Sequence, residues 1–190
     1  RHQVLGDRFG VAARDGEGQH QLEQFVILER RLADHLLATQ RADGSWSLYH
    51  GGPGHLSNTV EAYFALKFAG WRAEDAPLRR AREFVLANGG LAKAQVFTRI
   101  FLAFFGQFPW SALPAMPVEV VLLPPSFPIN IYALSSWARG TVVPLTILMA
   151  KHPSIEVSPE ESVAELWLAP PSREDLSYPA SDEWITWRNF

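Results

Sequence analysis

Apolar and polar residues alternate at helical spacing in the first part of the chain. Over residues 21–39, aliphatic and aromatic side chains recur every three or four positions with charges between them. This spacing predicts one amphipathic helix, or two helices joined near Glu29. A second helix is predicted to begin at Ser57 or Asn58, which are N-cap residue types, and to end at Ala69. The pattern therefore indicates helices joined by short loops.

The rest of the chain is less regular. Pro77 lies where a first helical turn tolerates proline, and a third helix is predicted to follow it. Residues 93–105, KAQVFTRIFLAFF, are apolar around most of a helix and predict a buried one. Residues 113–128 then contain five prolines, too many for one regular helix, although a short turn is predicted at 119–123.

Composition narrows the class of protein. The chain has 190 residues, of which 47% are hydrophobic and 12% aromatic, which is too apolar for a disordered protein. The net charge of -3, without a long Lys/Arg run, argues against a nucleic-acid partner. The absence of cysteine excludes disulfides and thiolate metal sites and agrees with a reducing cytosol.

Both ends of the sequence indicate a segment of a longer protein. The chain begins with arginine rather than methionine and ends in an aromatic stretch without a polar tail. Residues 1–20 show little periodicity and are predicted to be a poorly ordered lead-in. We expect a helical domain over 21–153, followed over 154–190 by an acidic, proline-containing connector and the start of a further helix.

The most informative stretch lies between the first two predicted helices. Gln40 is followed by a turn at Asp43-Gly44 and then by Trp46, and a glycine-rich loop leads to the second helix. Gly44 tolerates a positive φ, and the Asp before it can bond nearby backbone N–H groups. Gln, Asp-Gly and Trp in this order resemble the QW motif of the triterpene cyclases, which include the squalene-hopene and oxidosqualene cyclases.

The resemblance implies a structural role for Gln40, Gly44 and Trp46. In the family, the Gln bonds the start of the next helix while the Trp stacks on it, which ties the outer helices of an α/α barrel together. A decayed copy of the motif begins at Arg80, with Gly89 in the position of the Gln. The implied fold class is all-α, an incomplete α/α barrel of helix pairs with QW-type loops.

Further matches follow in the order of the bacterial enzymes. They are VFTR at 96–99, FPW at 108–110, NIY at 130–132 and SWARGTVVPL at 136–145. The resemblance implies the N-terminal part of a squalene-hopene cyclase, with domain 21–153 as part of its barrel. The complete enzyme is implied to convert squalene to hopanoids without metal or organic cofactor. It is implied to be cytoplasmic and to enter one membrane leaflet for its substrate.

Cyclising a polyene needs an acid that protonates an alkene, an apolar cavity, and aromatic faces that stabilise carbocations. In the family the acid belongs to an Asp-x-Asp-Asp motif. The aspartates of this chain are scattered singly, at positions 7, 15, 34, 43, 75, 175 and 182. We therefore predict no catalytic residue here and no cyclase activity for the chain alone.

The resemblance also places part of a cavity wall in this chain. Trp137 matches a cavity-lining tryptophan of the family, and Leu134 and Val142 match positions near the substrate entry channel. The alternative for Trp137 is a tryptophan buried in the core, and for the other two it is ordinary helix packing. Glu61, Arg99 and Arg139 are expected to form internal ion pairs or helix caps rather than to act in catalysis.

Other kinds of function find less support. The histidines lack the spacing of metal ligands, so no metal site is predicted. A non-catalytic helical module stays open as an alternative: a degenerate paralogue, or one subunit of a split cyclase, binding a prenyl lipid or the remainder of the cyclase in trans. A reading frame that continues beyond Phe190 to an Asp-x-Asp-Asp motif would favour the enzyme, and an early stop would favour the module.

Overall fold

The regular secondary structure of the described residues consists of α-helices and short 3-10 helices. The computed structural model describes residues 16–114, 118–127, 130–174 and 176, except for the side chains at 16–19, 21, 22, 25 and 120. These ranges contain five α-helices and no strand. The helices are α1 (Gly16–Thr39), α2 (Leu56–Phe68), α3 (Ala76–Ala87), α4 (Val96–Phe104) and α5 (Ser136–Lys151). The prediction of an all-helical protein is confirmed over these ranges.

Short 3-10 helices occupy several of the connections. They lie at Leu91–Lys93, Trp110–Ala112, Val118–Leu122, Ile131–Ala133 and Ala164–Leu166. The one at Val118–Leu122 coincides with the short turn predicted inside the proline-rich stretch, because a 3-10 turn needs only three or four ordered residues between prolines. The predicted helix start at 184–190 lies outside the described residues.

The chain divides into two compact units. The first consists of Arg1–Leu91 together with Ser158–Leu166, and the second consists of Ala92–Val157 together with Trp167–Phe190. The chain therefore leaves the first unit after residue 91 and returns to it for a short segment at 158.

The core of the first unit forms where α2 packs against α3. Both helices bury apolar side chains, each at most 1% exposed: Val60, Tyr63, Phe64 and Leu66 from α2, and Leu78, Ala81 and Val85 from α3. Burying one such aliphatic or aromatic side chain stabilises the fold by about 1.5–3 kcal/mol, which makes this contact the main support of the unit.

Helix α2 begins earlier than the sequence pattern predicts. Its N-cap is His55, whose Nδ1 accepts a hydrogen bond from the Asn58 N–H at 3.3 Å. The predicted caps Ser57 and Asn58 are wrong, because Leu56 is already helical and the imidazole satisfies the N–H that a Ser or Asn side chain would otherwise bond. Glu61 consequently lies in the second turn, beyond the first turn where a carboxylate best suits the helix dipole.

The end of α2 agrees with the sequence. Gly70 has φ 86°, and its N–H donates to the Lys67 carbonyl at 2.9 Å, while the N–H of Trp71 donates to the Leu66 carbonyl at 3.0 Å. A left-handed residue after the last turn lets the chain satisfy these carbonyls, and glycine adopts that conformation without strain.

In the second unit, the helix predicted over 93–105 is shorter and less buried than expected. A 3-10 turn covers Leu91–Lys93, and α4 covers Val96–Phe104. Leu102 and Ala103 are fully buried, but Phe97 is 60% exposed and Phe101 44% exposed. The prediction of a buried helix is therefore wrong for one face, because apolar composition alone does not determine which side of a helix is covered.

Helix α5 is the longest element of the second unit. Ser135 caps it, with Oγ accepting from the Ala138 N–H at 3.2 Å, and His152 ends it with a left-handed φ of 47°. Pro144 lies inside the helix, where its ring removes one backbone hydrogen bond. Within the described ranges, no helix is both long enough and apolar enough to cross a bilayer.

Candidate functional site

The loop between α1 and α2, residues 40–55, is called the clasp here because it bonds to three helices. Gln40 starts it and uses both ends of its side-chain amide. Nε2 donates to the carbonyls of Gly44 at 3.0 Å and Pro77 at 2.8 Å, and Oε1 accepts from Arg80 Nη2 at 2.8 Å. The bonded helix start is that of α3, whereas the resemblance implied the start of the next helix, α2.

Gly44 brings the clasp into backbone contact with α3. Its φ is 83°, a conformation that side-chain-bearing residues rarely adopt. A Cβ at this position would lie 2.5 Å from both the carbonyl carbon and the carbonyl oxygen of Arg80. Glycine is therefore required for two reasons: the turn needs a positive φ, and the Arg80 backbone leaves no room for a side chain.

The turn itself is held by Asp43. Its Oδ1 accepts from the Ser45 N–H at 3.1 Å and from Ser45 Oγ at 2.6 Å, and Ser45 is fully buried. The hydroxyl bond, with the backbone bond and nearby Arg41, keeps the pKa of Asp43 below its ordinary value although burial opposes this. The ionised carboxylate is the form that orders this turn.

Trp46 connects the clasp to the helices on either side of it. The indole is 5% exposed, and its Nε1 donates to the carbonyl of Leu36, near the end of α1, at 2.8 Å. Its backbone N–H donates to Thr59 Oγ1 at 3.1 Å, and its carbonyl accepts from the His55 N–H at 2.8 Å. The residue thus bonds the end of α1 and the start of α2 at once.

An open groove of about 750 Å³ lies along the clasp, between the end of α1 and α2. Its walls combine apolar and titratable side chains, including Leu36, Leu48, Tyr49, His35 and Glu61. No group of three or more potential metal ligands occurs in the part of the chain that the structure describes. Leu48 and Tyr49 are each 65% exposed at its edge.

The three residues predicted to line a substrate cavity lie in the second unit and are not part of this groove. Trp137 occupies the first turn of α5 and is 80% exposed, Leu134 precedes that helix and is 38% exposed, and Val142 is partly exposed within it. Trp137 is therefore not part of the core formed within this chain. The cavity role of all three stays a prediction.

Arg99 is the buried cation of the second unit. It is 3% exposed, and its guanidinium donates to the carbonyls of Ala92, Ala94 and Leu176. It also lies 5.5 Å from the ring centroid of Phe108, a cation–π geometry. These acceptors are backbone carbonyls, whereas the sequence led us to expect an ion pair or a helix cap, which stays a prediction. Every residue carries a carbonyl, so the sequence contains no signal for which ones Arg99 would bond.

Arg139 makes a local contact at the start of α5. Its Nη2 donates to Ser136 Oγ at 3.3 Å, one turn earlier in the same helix. This is a hydrogen bond within one helical turn, which contributes local order; the ion pair or helix cap expected for Arg139 stays a prediction.

These features define an all-α protein in which a Gln–Gly–Trp loop binds helices together. The sequence model of the family described as "Squalene-hopene cyclase N-terminal domain" matches residues 21–190, and the chain belongs to this family.

The curated relatives include cyclases of bacteria and fungi. The chain is 42% identical over 137 residues to the squalene-hopene cyclase of Alicyclobacillus acidocaldarius, covering 72% of this chain and 22% of that protein. It is 44% identical over 152 residues to a squalene hopane cyclase of Aspergillus fumigatus, covering 77% of this chain and 20% of that protein. A terpene cyclase-glycosyl transferase fusion protein of Humicola fuscoatra is 49% identical over 148 residues, covering 73% and 11%. The matched part thus spans between 11% and 22% of the length of these relatives.

Proposed function

We propose that this chain contributes the N-terminal scaffold and part of the cavity wall of an enzyme that cyclises squalene to hopanoids. The observation that carries the proposal is the family match over residues 21–190. It is supported by the relative from Alicyclobacillus acidocaldarius, whose name states that activity. No metal or organic cofactor is proposed, because protonation of an alkene starts the reaction without one.

The scaffold proposed is an incomplete α/α barrel of helix pairs. Two features of the first unit support it: α2 packs against α3, and the clasp bonds the start of α3 to the end of α1 through Gln40 and Trp46. A loop that bonds three helices keeps their separations constant while each helix presents one face inward. Repeating helix pairs of this kind close into a ring.

The acid and the cavity wall are proposed to lie on different parts of the enzyme. The aspartates of this chain are scattered singly, so the Asp-x-Asp-Asp acid is assigned to polypeptide outside it. Trp137 is assigned to the wall, where its indole face would stabilise a carbocation by cation–π attraction. The ring is 80% exposed in this chain, so the proposal requires polypeptide outside the chain to enclose the cavity; Leu134 and Val142 flank Trp137 in sequence.

The cellular setting follows from the substrate. Squalene is a hydrocarbon that partitions into membranes, so the complete enzyme is proposed to be a cytoplasmic protein that contacts one membrane leaflet. Nucleic acid is not a proposed partner, since the net charge of the chain is -3.

The test is to incubate the complete gene product with squalene and to analyse the lipid extract by mass spectrometry. We expect cyclised product from the complete enzyme and none from residues 1–190 alone. Trp137→Phe keeps an aromatic face and is expected to retain more activity than Trp137→Leu, whose side chain is closer in size to Phe but has no aromatic face. Unchanged squalene with the complete product, at a protein concentration that gives a cooperative melt, would exclude the enzyme.

A non-catalytic module is the second candidate, favoured by the single, scattered aspartates of this chain. It predicts a complete product that lacks an Asp-x-Asp-Asp motif and binds squalene without converting it. Bound, unreacted squalene recovered with a complete product that lacks the Asp-x-Asp-Asp motif would support this module.

A further inference from the structure

Residues Ser158–Leu166, called the latch here, return to the first unit and bond to α2 through one carboxylate. Glu165 Oε1 accepts from the Tyr63 hydroxyl at 2.7 Å and from Lys67 Nζ at 2.8 Å. These partners are 102 and 98 residues away in the sequence. Tyr63 and Lys67 are one helical turn apart, so both donors reach the same oxygen from one face of α2.

Two aliphatic side chains anchor the latch on either side of this carboxylate. Val163 and Leu166 are both fully buried, and the 3-10 helix Ala164–Leu166 contacts α3 as well as bonding to α2. The latch therefore contacts α2 and α3 through two buried aliphatic side chains, Val163 and Leu166, and one carboxylate, Glu165.

The charge matters because Lys67 is buried. Its side chain is 6% exposed, and within the described residues Glu165 is the carboxylate that lies within ion-pair distance of it. Removing one partner of a buried ion pair leaves the other charge desolvated, which costs far more than the pair itself contributes. The charge of Lys67 on α2 is therefore neutralised by Glu165 only when the latch is in place.

We propose that the latch is a two-state element whose closure is controlled by the charge at position 165. In the closed state, Glu165 neutralises Lys67 and the two aliphatic anchors are buried. In the open state, Lys67 reaches water and a site is exposed on α2 and α3 that fits a short chain segment with one carboxylate and two aliphatic side chains. The first unit is thus completed by a segment made some seventy residues after its last helix.

The test is hydrogen–deuterium exchange of the full chain, followed peptide by peptide. Glu165→Gln removes the charge but keeps the shape, and we expect exchange over 160–166 and around Lys67 to rise at least about tenfold. Peptides from α5 should keep their wild-type rates. The matched control is Glu160→Gln, which makes the same charge change at an exposed position of the latch and should change neither region.

A double variant separates the charge from simple damage to the fold. In Lys67→Met with Glu165→Gln no buried charge remains, so exchange of the latch should return to within about threefold of wild type, below the level of either single variant. Unchanged exchange in Glu165→Gln, an equal rise in Glu160→Gln, or a rise throughout the chain would each overturn the proposal. A double variant that opens more than both single variants would overturn it as well.

Discussion

Gln40 and Pro77 are separated by 37 residues, yet Gln40 Nε2 donates to the Pro77 carbonyl at 2.8 Å. The same nitrogen donates to Gly44, and the amide oxygen accepts from Arg80. The amide acts as both donor and acceptor, so a side chain of the same size that can only accept hydrogen bonds cannot make the same contacts. The bond to Pro77 connects the end of α1 with the first turn of α3.

Gln40→Glu is expected to lower the free energy of unfolding by about 1–3 kcal/mol, because the carboxylate cannot donate and faces the carbonyls of Gly44 and Pro77. Urea unfolding followed by far-UV circular dichroism measures it. Gln24→Glu makes the same change at an exposed position of α1 and should stay within about 0.5 kcal/mol of wild type. Equal stability of both variants would contradict this expectation and would mean that pairing of the new carboxylate with Arg80 compensates for the lost donor.

Trp46→Ala is expected to destabilise the chain by about 3–5 kcal/mol, since the ring is 5% exposed and its removal leaves a cavity. Trp46→Phe keeps most of the packing and loses the Nε1 bond to Leu36, so about 1 kcal/mol is expected. The same urea titration compares them. Trp137→Ala is the control, with a change below about 0.5 kcal/mol because that ring is 80% exposed. A loss as small for Trp46→Ala would contradict burial in the clasp.

Gly44→Ala and Gly51→Ala separate backbone strain from steric overlap. Both glycines have a positive φ, 83° and 74°, so each substitution is expected to cost about 1–2 kcal/mol in strain. At Gly51 a Cβ meets no atom within 4 Å, whereas at Gly44 it overlaps the Arg80 backbone. Differential scanning calorimetry should therefore give a clearly lower Tm for Gly44→Ala. Similar Tm values for the two variants would mean that the clasp moves away from α3 at little cost.

Acid should weaken the first unit through Glu165. Burial raises the pKa of this carboxyl, but hydrogen bonds from Lys67 and Tyr63 outweigh burial and bring it below its ordinary value of 4.5. A lowered native pKa contributes stability that is complete above the unfolded value and is lost as pH falls through the native one. The free energy of unfolding should therefore decrease as the pH is lowered from about 6 to 3.

Urea titrations at successive pH values check this dependence, with Glu165→Gln as the comparison. The variant should start less stable near pH 6 and lose less on acidification, so that the two profiles converge. Asp43 acts in the same direction, because its pKa is also lowered, and it accounts for part of the slope that remains in the variant. Two further charges affect the pKa of Tyr63, the other donor to Glu165: Arg82 lowers it and Glu74 raises it. Profiles that stay parallel would exclude Glu165 as the source.

Local signals in the sequence predicted most of the helices. Helical periodicity predicted α1 and α2, Pro77 predicted the first turn of α3, and Gly70 predicted the end of α2. The predicted start of α2 was wrong because its N-cap is a histidine, whereas N-cap preferences favour residues such as Ser and Asn. Such preferences are averages over many helices, whereas in this helix the Asn58 N–H donates to the imidazole of His55.

The contacts that hold the candidate site together could not be read from the pattern. Gln40 was identified by its resemblance to a motif, but its partner Pro77 lies one helix further along than expected. Glu165 and Lys67 are ordinary charged residues in sequence, and only the return of the chain at 158 places the partly exposed carboxylate against the buried ammonium. Pairings over such separations depend on tertiary packing, which local propensity does not contain.

At Gly44, main chain touches main chain, since Arg80 occupies the place of any side chain. The spacing of loop and helix there is set by bond lengths and van der Waals radii, which rotamer changes nearby cannot alter. An insertion close to Gly44 would have to push the helix away, whereas one near Gly51, with open space around it, would extend outward. Length variation among homologous loops should therefore concentrate at the glycine-rich tip.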